Sequence, residues 1–179
     1  HKGGAWALRH HAAPCTLTLE NGRALVSNIL PTAVSATVSV QRVVLGGGAV
    51  STVITQEASF VSGCTEVPFS VGTLQPDEVL VGTLTAAQTV RTFYTDGCPL
   101  LTPCREAVQV KRSGQCLELS ADRYVHVVEL SGAETVSDNY FSLLPGEKKQ
   151  VHFSGTEPSW TAYTLRGKAH QGSNENHSA

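Results

Sequence analysis

Carboxylates, a serine near an aspartate and histidines, thiols and aromatic rings are the residues of this chain that could do chemistry. Glu118, Glu129 and Glu134 fall in separate strand-like runs. Carboxylates without a matched partner are usually solvent-facing, so none is assigned an acid–base role. Ser137-Asp138 with His126 or His152 supplies the ingredients of a nucleophilic triad, but no Gly-x-Ser-x-Gly elbow accompanies them. His152 stands between Val151 and Phe153 and is expected to face water while they face a core. Val125, Val127 and Val128 do not alternate cleanly, which leaves the face of His126 open.

Cys15, Cys64, Cys98, Cys104 and Cys116 are odd in number and form no CxxC pair. Cys98 and Cys104 bracket a proline-rich connection and could bridge; free, hydrophobe-like cysteines are the favoured reading. The seven histidines show no ligand spacing, and His10-His11 would diverge by about 100° on a helix. No metal and no cofactor is expected. Gly46-Gly47-Gly48 lacks the Lys-Ser/Thr of a phosphate loop and reads as a hairpin turn. Trp6, Tyr94, Tyr124, Tyr140, Trp160 and Tyr163 are the rings that could stack on sugars. Trp160 and Tyr163 are taken as the carbohydrate-binding candidates, against a bland alternative in which such rings fill cores.

The elements that would position these residues are strands. Cys15 to Glu20 and Arg23 to Asn28 alternate around the Asn21-Gly22 turn signal. Further strands are predicted over Ala33 to Leu45, with Val34, Ala36, Val38 and Val40 on one face, and over Ala49 to Gln56, Val67 to Val71, Val79 to Leu84 and Thr89 to Tyr94. Asp96 to Cys104 holds two prolines and reads as a stiff connector. A second series runs over Ala107 to Lys111, Gln115 to Ser120, Tyr124 to Leu130, Asn139 to Leu144, Lys149 to Phe153 and Trp160 to Leu165, with Pro145-Gly146 predicting a hairpin between the fourth and fifth. Asp138 and Asn139 are expected to shape the start of the strand whose Phe141 and Leu143 pack inward. Tyr140 is expected to anchor a corner through its hydroxyl.

These readings give an all-β chain of two immunoglobulin-like antiparallel sandwiches with a short N-terminal helical remnant. The expected divisions are a helix or linker at 1–13, a first sandwich at 14–103, a smaller second one at 104–166 and a disordered tail at 167–179. At 179 residues and 19.0 kDa, two small domains fit the length. A net charge of −2 and a pI near 6.4 give no footprint for nucleic acid or an anionic membrane. No apolar run approaches the roughly 20 residues of a spanning helix. The absence of Met and of a signal-peptide core leads us to expect a piece of a larger chain.

Two stretches resemble a known family. Val125 to Leu130 followed by Val136-Ser137-Asp138-Asn139-Tyr140-Phe141-Ser142-Leu143-Leu144-Pro145-Gly146-Glu147 is similar to the last domain of family-2 glycoside hydrolases. Trp6-Ala7-Leu8-Arg9, Ala13-Pro14 and Val26 to Val38 look like the point where β-mannosidases leave their catalytic barrel. The resemblance implies a lysosomal or secreted parent that hydrolyses terminal β-mannosides with retention, its barrel preceding these domains and packing against them. Such hydrolysis needs two carboxyl groups about 5–5.5 Å apart. In the related enzymes both are glutamates on barrel strands, and no position here matches those motifs. The chain is therefore expected to be an accessory region with no catalytic residue; Asp138, Asn139, Tyr140, Pro145 and Gly146 carry a structural motif. Glycans are a further possible partner. The alternatives are a carbohydrate-binding module and an immunoglobulin-like adhesion or receptor domain.

Overall fold

The structure, a computed structural model, describes residues 13–20, 22–97 and 99–166. Apart from Ala13, the expected N-terminal helix with Trp6 and His10-His11 lies outside the described residues, as do Cys98 and the tail 167–179.

Alternation of apolar and polar residues produces a hairpin at the start. Strands β1 (Cys15–Glu20) and β2 (Arg23–Asn28) pair antiparallel with Glu20 opposite Arg23. Gly22 takes φ +80 in the turn, a left-handed value that glycine adopts at no steric cost. Strand β5 (Gly63–Pro68) completes a three-stranded sheet in the order β1-β2-β5. It starts earlier than the predicted Val67 to Val71 segment.

The facing sheet is formed by β3 (Val34–Val44), β4 (Val50–Phe60), β6 (Glu78–Thr85) and β7 (Thr89–Tyr94), ordered β4-β3-β6-β7. The Gly46 to Gly48 run closes the β3–β4 hairpin, where Val44 N donates to Ala49 O at 2.9 Å. Leu17, Leu19, Val26, Val38, Val40, Phe60, Leu80 and Leu84 fill the core between the sheets. Gly82 permits this packing: a Cβ there would stand 2.9–3.0 Å from the methyl groups of Leu17 and Leu19.

The second sandwich contains β8 (Leu100–Pro103), β9 (Val108–Ser113), β10 (Cys116–Ala121), β11 (Val125–Ser131), β12 (Thr135–Val136), β13 (Phe141–Leu143), β14 (Lys148–Ser154) and β15 (Ser159–Arg166). Its sheets are ordered β12-β14-β10-β9 and β13-β11-β15-β8. Leu117, Leu119, Val125, Val128, Phe141, Leu143, Val151 and Phe153 form its core.

Two expectations for this region are corrected. The segment read as a connector and assigned to the first sandwich up to residue 103 holds β8, which pairs with β15, Tyr163 opposite Pro103 and Leu165 opposite Leu101. Proline lacks an N–H and is confined to strand edges, and β8 is an edge strand. The Pro145-Gly146 turn does not make a hairpin: β13 pairs with β11, whereas β14 pairs with β10 and β12. The turn instead carries the chain from one sheet to the other. Gly146 has φ +78 and its N–H donates to Ala121 O at 2.8 Å, and the Glu147 carboxylate accepts from Leu144 N at 2.8 Å.

Candidate functional site

The β6 segment Val79-Leu80-Val81 is apolar without alternation, and all three side chains are buried. Leu80 faces the core of the first sandwich, while Val79 and Val81 point out of the other face of the sheet. That outer face is covered by the second sandwich. Simple alternation along β3 serves both faces: Val38 and Val40 point inward, while Val43, opposite Val79, joins the outer cluster with Leu45. From the second sandwich come Tyr124 and Leu165, with Leu144 packed alongside. Burial of a side chain of this size contributes about 1.5–3 kcal/mol relative to exposure. The apolar contacts therefore hold the junction, and polar contacts set its geometry.

Those polar contacts come from β7. Its register places Arg91 opposite Thr83 and Phe93 opposite Val81, so both side chains stand on the covered face. The Arg91 guanidinium donates to both Glu147 carboxylate oxygens, at 2.9 and 3.1 Å, and to Ser142 O at 3.1 Å. Two parallel N–H···O bonds fix orientation as well as distance. Phe93 meets His126 edge to face with centroids 4.3 Å apart. The Tyr124 hydroxyl lies 3.3 Å from His126 Nδ1. Burial raises the Tyr124 pKa and lowers that of His126 from its usual 6.5.

The Asp138-Asn139-Tyr140 motif forms a corner of the second sandwich. Asn139 is buried, and its side-chain amide imitates a strand neighbour of Leu130: Oδ1 accepts from Leu130 N at 2.7 Å and Nδ2 donates to Leu130 O at 2.7 Å. Oδ1 also accepts from Tyr140 N at 2.9 Å. Asp138 accepts from Asn139 N at 2.8 Å and pairs with Lys149 at 2.7 Å. Tyr140 has φ +55, the left-handed region, and its hydroxyl donates to Glu129 Oε1 at 2.7 Å. That bond raises the phenol pKa. The corner hydroxyl thus reaches a carboxylate, and Asn139 makes the main-chain bonds. Phe141 and Leu143 pack inward.

Beside this corner opens a cleft of about 450 Å³ lined by Glu129, Ser131, Glu134, Asn139 and Tyr140 among others. Trp160 and Tyr163 do not line it. Trp160 packs against the core of the second sandwich, with the Arg105 guanidinium 4.4 Å from its ring centroid and its Nε1 buried without a hydrogen-bond partner. One face of that ring is therefore taken by a cation. Tyr163 lies on β15 between Val127 and Pro103 and is half-buried. The structure does not bring the two rings and the cleft together.

His152 is exposed between buried Val151 and Phe153. The described cysteines, Cys15, Cys64, Cys104 and Cys116, are free thiols. Among the described residues no group of three or more His, Cys, Asp or Glu side chains could hold a metal ion. Sequence reading missed Arg91, Phe93 and Glu147 as junction residues. The non-alternating run in β6 was the signal that could have found them, because a strand apolar on both sides must be covered on both sides.

Fold and contacts define the class: an all-β chain of two antiparallel sandwiches, the second immunoglobulin-like, joined by a buried junction. Residues 101–173 match the Ig_mannosidase family model, an Ig-fold domain. The fold is similar to the crystal structure of β-D-mannosidase from Dictyoglomus thermophilum, with a TM-score of 0.53 and 14% identity over 87% of this chain and 22% of that one. The chain thus spans about a fifth of the length of that enzyme. No curated protein matches the sequence. Residues 101–173 are thus similar to the Ig-fold domain of mannosidases, and the chain shares its fold with part of a β-mannosidase.

Proposed function

We propose that this chain is the non-catalytic accessory region of a β-mannosidase-like glycoside hydrolase, a rigid double sandwich that packs against the catalytic barrel. The match of residues 101–173 to the mannosidase Ig-fold domain carries this reading. An accessory role asks for fixed geometry, which the apolar junction and the Arg91–Glu147 pair provide. The covered ring of Trp160 supports scaffolding over glycan stacking. In the parent, the nucleophile and the acid/base that cleave the terminal β-mannoside reside in the barrel, and this region keeps the barrel folded and oriented.

Assay of the isolated chain with a chromogenic β-mannoside should show no turnover, while deletion of the region from the parent should lower the parent's melting temperature. Hydrolysis by the isolated chain, abolished by Glu129→Gln or Glu134→Gln, would overturn the proposal.

A further inference from the structure

The junction between the sandwiches contains one group that changes charge near neutral pH. His126 sits on β11 at the irregularity between Val125 and Val128, which turns its ring toward the first sandwich. There it meets the Phe93 ring. We propose that His126 makes this junction pH-responsive: the sandwiches are locked together while the imidazole is neutral and loosen when it takes up a proton.

Burial penalises a positive charge on His126, and among the described residues no carboxylate offsets it. From β7, the same face that presents Phe93 presents Arg91, already a cation and close enough for its charge to act on the Tyr124 phenol. From the turn after β13, the Glu147 carboxylate is committed to Arg91 and to Leu144 N. From β15, Tyr163 stands opposite Val127. On its own segment the imidazole has Tyr124, whose hydroxyl serves either tautomer but must act as acceptor once Nδ1 carries a proton. The Tyr124 hydroxyl proton then needs another acceptor in a side chain that is only 2% exposed. Protonation therefore adds a cation to a half-buried site and reverses the Tyr124–His126 hydrogen bond at the expense of the hydroxyl proton.

The direction follows from linkage. Burial holds the His126 pKa below its unfolded value of 6.5, so the closed junction binds the proton more weakly than the open one. The His126 contribution is present in full above pH 6.5 and is lost as pH falls from there through the lower pKa of the closed state.

The test uses the whole 179-residue chain. Histidine ring resonances are followed by NMR from about pH 7.5 to about pH 5, together with residual dipolar couplings that report the orientation of one sandwich to the other. His126 should titrate with a midpoint below the usual histidine value of 6.5, and the couplings should change over that same interval. In His126→Gln the neutral-pH orientation should remain and its pH dependence should vanish. A His126 midpoint at or above 6.5, an orientation unchanged through the titration, or a change that persists in the variant would each overturn the proposal. If the variant fails to fold, the wild-type titration alone decides the first two.

Discussion

Arg91 and Glu147 face each other across the line between the two sandwiches, their side chains 18% and 31% exposed and joined by two hydrogen bonds. Ion pairs on open surfaces contribute little, but this one is half-buried, bidentate and tied to Ser142 O. Replacing Arg91 with Ala strands a carboxylate against Leu144 and leaves the Ser142 carbonyl without this donor. Arg91→Ala should lower unfolding stability by about 2 kcal/mol. Glu147→Gln keeps an acceptor for Leu144 N and should cost about half as much. Urea denaturation of both variants checks the ranking; equal, near-zero effects would mean that the apolar cluster alone sets the junction.

Asn139 and Tyr140 are adjacent, yet they should differ sharply in worth. Asn139→Ala deletes three bonds of 2.7–2.9 Å and leaves the Leu130 N–H and C=O without these partners inside the second sandwich. An expected loss of about 2–4 kcal/mol follows from stranding buried polar groups. Tyr140→Phe removes one bond to Glu129 at the partly exposed edge of the cleft, with an expected loss of about 1 kcal/mol. Thermal unfolding by circular dichroism distinguishes them. A larger effect at Tyr140 would return the corner role to the hydroxyl.

Much of the fold is legible because one physical rule, burial of one face, writes itself into sequence with period two. Leu17, Leu19, Val38 and Val40 show it, as does His152 between Val151 and Phe153. The misreadings fall where a second rule acts. Pro145-Gly146 signals a turn but not its destination, and here the strands on either side belong to opposite sheets because β11 and β10 compete for them. Leu100 to Pro103 looks like a linker because its one proline, Pro103, suits an edge strand equally well. The junction depends on which outer faces meet. No local pattern names Arg91 as the partner of Glu147, which lies 56 residues away.

Thiol reactivity offers an independent reading of burial. Cys64 is exposed on β5, whereas Cys15 is buried in the first core and burial raises its pKa. The thiolate is the reactive species, so access and ionisation disfavour Cys15 together. Under native conditions at mildly alkaline pH, a maleimide should label Cys64 at least about tenfold faster than Cys15. Peptide mapping would show it, and equal rates would mean that β1 is not held in the sandwich.

Gly48 tests the junction from the other side. It closes the β3–β4 hairpin at φ +66, and a Cβ there would run into the carbonyl oxygen of Asp122, at the loop before Tyr124. Neither the Asp122 main chain nor the hairpin can swing aside without moving Leu45 or Tyr124 out of the shared cluster. Gly48→Ala should therefore cost about 1–3 kcal/mol from the left-handed backbone and the clash. Gly46→Ala, in the same turn with open space around its Cβ, should stay within about 0.5 kcal/mol of wild type. Because Gly48 and Arg91 act on one junction, the double variant should lose less than the sum of the single losses. Once the sandwiches have been prised apart at Gly48, Arg91 has less left to hold. Strict additivity in a double-mutant cycle by urea denaturation would show that the hairpin strain is local and that Gly48 does not set the approach of the two units.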